Sequence, residues 1–264
     1  MADLAVYQYV LIALIFVWSG FVRSGLGFGG AVMSLPFLLL IDNQPLVYLP
    51  IIAVHLLFFS SLTVWQNSRK HKLAISQSAN LEANAGTVDW AYLKKALGIM
   101  IVPKLIGVFG LLTLPASLMT VIIFSIVCVY SVSYIINKPF KSSHPALDVG
   151  FLMLGAYISG TSLIGAPLIL AVFATHVAKQ QLRDTLFVLW FILVTIKMAA
   201  FLYAGVDLQL IHHVWLLPAA TIGHLIGLRF HEKIVHGDTQ LFYRVLGITL
   251  LLVSVMGLFS LAFK

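Results

Sequence analysis

Charge is what this chain lacks. Asp, Glu, Lys and Arg make up only 9% of its 264 residues, whereas a soluble domain carries about 25%. So few charges cannot solvate a globular surface, and a water-soluble domain is excluded. Acid is scarcer than base, with 9 Asp and Glu against 16 Lys and Arg. Cysteine is almost absent. Cys128 stands alone within an apolar run, which excludes disulfides within the chain and cysteine metal clusters. Asp3 and no basic residue precede the long first apolar run. That pattern is unlike a cleaved signal peptide, so the first segment is expected to stay.

Apolar sequence fills the place of the missing charge: 61% of the residues are hydrophobic, against roughly 45–50% in ordinary domains. It falls into ten stretches, at 4–22, 27–41, 46–65, 92–113, 116–136, 147–162, 164–177, 184–204, 208–229 and 240–262. Most approach the roughly 20 residues that cross a bilayer as a helix, and the expected class is an all-α polytopic membrane protein. The stretches 27–41 and 164–177 fall short. Each follows a Gly-rich break, SGLGFGGAVMSLP at Ser24 to Pro36 and SGTSLIGAPLIL at Ser159 to Leu170. The two share Ser24/Ser159, Gly25/Gly160, Gly30/Gly165 and Ala31/Ala166, each pair 135 positions apart. Paired helix interruptions at matching places in two halves point to a transport site.

Loop charge orients the chain. Basic residues gather at Arg69, Lys70, Lys72, Lys94 and Lys95, at Lys138 and Lys141, at Lys179 and Arg183, and at Arg229, Lys233 and Arg244. The connections at 42–45, 114–115 and 205–207 hold no Lys or Arg. Under the positive-inside rule the basic loops are cytoplasmic and the bare turns external, with both termini outside. The halves 1–136 and 137–264 are then oppositely oriented repeats of one integrated membrane domain. Each Gly-rich pair is either two crossing helices or a re-entrant hairpin, and both alternatives preserve the order. KLIG at Lys104 to Gly107 and HLIG at His224 to Gly227 form a second echo, 120 positions apart and each after a proline. The shorter offset fits a longer polar loop at about 66–90 in the first half. Close helix packing is the favoured reading of Gly107 and Gly227.

Gly25, Gly27 and Gly30 formally satisfy a dinucleotide fingerprint. That motif needs a preceding strand and an acidic residue about 20 positions on. A membrane-length apolar run precedes it and no Asp or Glu lies between Asp42 and Glu82, so the fingerprint is excluded. A broken helix instead offers freed backbone amides to an anion. The glycines proposed to shape such a site are Gly25, Gly27, Gly29, Gly30, Gly160 and Gly165.

Ionisable groups inside membrane segments usually face the bundle interior or a watery path. Here they are His55, Lys104, Lys197 and His224, with Arg23 beside the first break, and no carboxylate is among them. A cavity so lined attracts anions. Arg23 has two readings, snorkelling at the cytoplasmic end of its segment or binding an anion. Lys104 and Lys197 lie deeper, which favours function. His55 reads first as a neutral, hydrogen-bonded interior histidine, and His224 is ambiguous. Ser24, Ser159, Thr161 and Ser162 either donate to a ligand or satisfy the broken backbone. Coupling through histidine, through sodium held by carbonyls, or no coupling are all open.

HEKIVH at His231 to His236 has one residue too many for a zinc-protease helix, and adjacent His212 and His213 point apart. No metal and no cofactor are expected. The net charge of +7 reports orientation and lipid contact. It needs no nucleic acid.

The Gly-rich break followed by a proline-containing apolar stretch, repeated halfway along the chain, resembles the TauE/SafE sulfite exporter family, also described as toluene-sulfonate uptake permeases. The resemblance covers nearly the whole chain. Its second motif departs from the family pattern at Ser162 and Ile164, where small glycines are expected. The resemblance implies an inner-membrane secondary carrier for sulfite, sulfoacetate or other sulfonates, working by export. A sulfonate suits a basic side chain plus helix N-terminal amides. A carboxylate suits the same groups almost as well. The expected partners are a small anion and the bilayer, with a homo-oligomer an open option. An anion channel, an intramembrane enzyme and a scaffold are the competing classes, and the enzyme lacks a convincing nucleophile and base.

Overall fold

A computed structural model describes residues 4–26, 29–77, 86–236 and 240–263, with only the backbone course for 71–77 and 231–236. Its elements are ten helices: α1 (Val6–Leu26), α2 (Leu35–Ile41), α3 (Pro45–Gln77), α4 (Trp90–Thr113), α5 (Ala116–Ile135), α6 (Pro145–Ser162), α7 (Ala166–His176), α8 (Lys179–Tyr203), α9 (Leu210–His236) and α10 (Gln240–Ala262). Seven of them, all except α2, α6 and α7, are long and apolar enough to cross a membrane. The ten apolar stretches each become one helix, and the described residues form no strand.

Apolar side chains on the outside mark which helices meet lipid. Leu14 on α1, Phe109 on α4, Val129 on α5, Leu225 on α9 and Leu252 on α10 are exposed. A helix that is hydrophobic all round needs lipid or protein on every side, and α2 and α7 are covered mostly by protein. Leu35, Leu38 and Leu39 of α2 and Ile169, Val172 and Phe173 of α7 are buried. α2 has 7 residues and α7 has 11. At 1.5 Å per residue these are about 10 and 16 Å of helix, well short of a roughly 30 Å hydrocarbon core.

Packing follows a regular scheme: α1 lies on α9, α4 on α6, α3 on α8 and α5 on α10. Small residues permit the approach. A Cβ on Gly223 would run into the Val17 carbonyl oxygen, and one on Gly107 into that of Tyr157. The packing reading of Gly107 and Gly227 therefore holds, since Gly227 likewise leaves no room between itself and the Phe21 carbonyl. α1 and α9 run parallel, because Tyr9 meets Trp215 at 5.8 Å between ring centroids and Phe21 meets Gly227. α5 and α10 run antiparallel, with Phe124 against Gly257 and Tyr134 5.5 Å from Tyr243. α3 and α8 are antiparallel too: Asn67 reaches Asp184, while Leu56 shares a cavity wall with Val194.

Each Gly-rich pair folds back on itself. The Gln8 side chain near the start of α1 donates to the Ile41 carbonyl at the end of α2, at 3.3 Å. In the second pair, Asp148 at the start of α6 and His176 at the end of α7 are 2.8 Å apart. In both pairs the outer helix ends therefore meet, and the breaks of the two pairs face one another inside the bundle.

Candidate anion-binding site

The first break begins where α1 stops at Leu26. Gly29 has φ of 84°, a left-handed conformation that glycine adopts at no steric cost. The Gly30 carbonyl then accepts from the Ser34 hydroxyl at 2.6 Å and from the Ser19 hydroxyl at 3.2 Å. These hydroxyls satisfy backbone that the interrupted helix leaves open. Gly27 lies outside the described residues. The second break uses a different device: Leu163 takes the left-handed position, with φ of 61°. Its N–H donates to the Ser159 carbonyl at 3.2 Å and closes α6. Gly165 then seats against the Gly155 carbonyl, and α7 starts at Ala166 with Pro167 in its first turn.

The two breaks meet. Gly29, Gly30, Ala31 and Val32 from the first and Ser159, Leu163 and Ala166 from the second line one cavity of about 30 Å³, together with Arg23. Leu56, Phe187, Trp190 and Val194 close it. The space is about that of one water in the liquid, roughly 30 Å³. Ala166 is the first residue of α7, so the positive end of that helix dipole faces the cavity. A far larger groove, about 740 Å³ between α1, α2 and α10, is lined by apolar residues such as Leu11, Leu14, Trp18 and Phe37 and one threonine, Thr249. It contains nothing to hold an anion and faces where lipid would be.

Arg23 dominates the electrostatics. It is 4% exposed, and its Nε and Nη2 have no hydrogen-bond partner among the described residues. Its guanidinium lies 4.1 Å from the centre of the Phe59 ring, a cation–π contact. Such a contact leaves the in-plane donors unused, and a buried cation with idle donors is costly. The arrangement favours an acceptor arriving from the cavity. Burial of Arg23 also removes the snorkelling reading, because a snorkelling head reaches water.

The lysines stand elsewhere. Lys104 donates to the Ser159 carbonyl at 2.9 Å and to the Ser159 hydroxyl at 3.0 Å, and Lys197 donates to the Thr161 carbonyl at 3.2 Å. Both are fully buried. Their ammonium groups meet the exposed carbonyls at the C-terminal end of α6, where the helix dipole is negative. At the first break Arg183 occupies the corresponding place, with Nη2 donating to the Ser24 carbonyl at 3.0 Å. The Ser24 hydroxyl pairs with His224 Nδ1 at 2.5 Å.

Of the remaining sequence candidates, Gly25 approaches the backbone of Gly227 and Gly160 that of Lys104 and Gly107. The Thr161 and Ser162 hydroxyls turn back to the Ile158 carbonyl, each at 3.0 Å. They satisfy the end of α6 rather than facing the cavity. His55 departs from its expected reading. It is buried, but neither ring nitrogen has a hydrogen-bond partner among the described residues. The side chains of His231 to His236 lie outside the described set. Elsewhere among the described residues no three His, Cys, Asp or Glu side chains gather as a metal centre would require.

Two neighbours of the candidate site escaped the sequence reading. Arg183 reads as a loop cation, and Asp184 as an acidic residue at a segment end. α8 starts at Lys179, one turn earlier than the apolar run, and this places Asp184 in the helix at 4% exposure with Asn67 donating to it at 2.7 Å. Among the described residues the interior thus holds one carboxylate where none was expected. The hydrophilic context of Lys179 to Arg183, together with the helix-starting pattern, was the available signal.

Comparison with known proteins bears on this architecture directly. Searches of curated proteins and of solved structures return no match. A family scan matches residues 11–257 to Sulfite exporter TauE/SafE. That match spans both Gly-rich breaks and all but the ends of the chain, and it agrees with the seven apolar spans in describing a multi-pass membrane transport protein. The chain belongs to the sulfite exporter TauE/SafE family.

Proposed function

We propose that this protein is a secondary carrier that moves a small sulfur-containing anion, such as sulfite or a sulfonate, across the inner membrane, outward in its working direction. The cavity where both breaks meet beside the idle donors of Arg23 carries this reading. Arg23 supplies the counter-charge, and the first turn of α7 supplies a favourable dipole. Lys104 and Lys197 act through α6, holding its broken end against the cavity. Ser24 and Ser159 are tied into the same framework.

The halves 1–136 and 137–264 are read as inverted repeats. Exchanging α1–α5 for α6–α10 turns the α1–α9 contact into α6–α4 and returns α3–α8 and α5–α10 to themselves. The antiparallel course of those two self-matched pairs supports opposite orientation, as do the basic cytoplasmic loops. On this reading both termini are external. At about 30 Å³ the cavity is too small for an anion of four or more heavy atoms, so binding requires the breaks to part. So narrow a space favours alternating access over an open channel, with one helix group rocking on the other.

The test is thermal stabilisation of purified protein by sulfite, sulfoacetate, sulfate and lactate, followed by flux in proteoliposomes. A ligand at 100 times its dissociation constant adds about 2.7 kcal/mol. Sulfur anions are expected to stabilise the wild type and not Arg23→Gln. Stabilisation by lactate alone would replace the sulfur anion with a carboxylate. Unsaturable flux would replace the carrier with a channel.

A further inference from the structure

His55 is the buried group that the anion site leaves unexplained. It sits on α3 between the edges of Phe16, 4.9 Å away, and Phe59, 6.3 Å away, measured between ring centroids. The third ring against it is His213 at 5.3 Å. Both nitrogens of His55 and Nδ1 of His213 lack hydrogen-bond partners among the described residues. An imidazole always has one N–H donor and one lone pair or a second N–H. Leaving both idle in an apolar cage costs free energy that a phenylalanine would not incur.

Its neighbours give the two histidines a direction. His213 lies in the first turn of α9, where Nε2 is 3.3 Å from the Leu208 carbonyl, next to the turn carrying Asp207. On the charge-based orientation that turn is external. On the other side of His55, the Phe59 ring stacks against Arg23 at 4.1 Å and lies 4.9 Å from His224. Arg23 on α1, across the Phe59 ring, and His213 on α9 flank His55. α8 carries Lys197, bound to the Thr161 carbonyl, and Arg183 and Asp184 near the Asn67 end of α3. α2 has no titratable side chain, and α5 has only Cys128, Tyr130 and Tyr134.

We infer that His55 is a proton-binding site coupled to the anion at Arg23, with His213 as its connection to the external side. The inference rests on the anion-site reading above. An empty site leaves Arg23 positive, and that charge opposes a second one on His55. An anion seated on Arg23 cancels the field, and a ring nitrogen of His55 then holds a proton that it exchanges with the external solution through His213. The N–H bond formed on the ring replaces an O–H bond of hydronium, which is left as water. Linkage makes the effect reciprocal, so the proton strengthens anion binding by the factor by which the anion strengthens protonation. The pair crosses together, and its net direction follows the summed gradients.

The test uses the purified full-length protein and methanesulfonate, a monoanion that stays ionised throughout the range examined. Affinity is measured at pH about 5.5 and about 8, spanning ordinary histidine titration, and protons taken up on binding are measured in weak buffer. Wild type is expected to bind at least about fivefold more tightly at the lower pH and to take up a proton. His55→Gln is expected to bind with no pH dependence and no proton uptake. His55→Phe, which suits the aromatic cage, gives the same result should the glutamine variant fail to fold. His213→Gln keeps the uptake at equilibrium. Arg23-dependent binding that is equal at both pH values overturns this inference alone, as does proton uptake that survives in the His55 variants. Absence of methanesulfonate binding at every pH overturns the anion site and the proton site together.

Discussion

The Ser24 hydroxyl and His224 Nδ1 are 2.5 Å apart, and they join the first Gly-rich break to the middle of α9. Lys104 and Ser159 form the matching pair between α4 and the second break, at 3.0 Å to the hydroxyl. Ser24 and Ser159 correspond in the break repeat, and His224 and Lys104 open the two LIG motifs. The two sequence echoes are therefore two sides of one contact, made once in each direction between the halves. Such a contact is testable by a double-mutant cycle. Ser24→Ala and His224→Ala are expected to destabilise individually, with a coupling energy of about 0.5–3 kcal/mol. Strict additivity in thermal or denaturant unfolding would show that the pair does not act as a unit.

Arg23 and Lys104 should separate binding from stability. Lys104 makes two hydrogen bonds and fills its site, so Lys104→Ala leaves a void and takes away the partner of the Ser159 hydroxyl. A loss of about 2–4 kcal/mol is expected. Arg23 is buried with idle donors. Replacing a poorly compensated buried charge with an apolar side chain is often neutral or stabilising. Arg23→Leu is expected to unfold at or above the wild-type temperature while losing anion stabilisation. A large fall in that temperature would instead mark Arg23 as a structural residue.

The glycines offer a sharper packing test. Alanine at Gly107 or Gly227 must push a Cβ into a facing carbonyl oxygen, whereas a Cβ at Gly98 or Gly150 meets nothing within 4 Å. Overpacking is expected to cost about 1–3 kcal/mol at the first two positions. At the open helical positions alanine is expected to gain roughly 0.5–1 kcal/mol. Equal unfolding temperatures for Gly107→Ala and Gly98→Ala would contradict the close α4–α6 approach.

Most of the fold was legible because lipid demands long apolar runs and loop charge punctuates them. Each of the ten runs became a helix, and Gly107 and Gly227 were readable as packing points from their small size. The site was legible only in part. Arg23 stood out beside the glycines, but the sequence could not show that Lys104 and Lys197 bond to α6 carbonyls, because that depends on which helices touch. Asp184 was hidden by its place beside the basic loop residues Lys179 and Arg183, and α8 begins early enough to bury it. Leu163 gave no warning either, since a leucine carries no signature of left-handed backbone.

Leu163 also provides the last test, of what the cavity admits. Its backbone has φ of 61° and its side chain lines the cavity at 7% exposure. Left-handed backbone costs a non-glycine residue about 1–2 kcal/mol, so the position is held there by its surroundings. Leu163→Ala retains the backbone cost and removes three carbons from the cavity wall, and an overall loss of about 2–4 kcal/mol is expected. Leu163→Gly relieves the backbone cost while opening more space. If the side chain limits ligand size, both variants shift preference from sulfite toward larger sulfonates such as sulfoacetate, read as the ratio of thermal stabilisation by the two anions. An unchanged ratio with lowered stability would confine Leu163 to packing and move the size limit to the facing wall, Phe187 and Trp190.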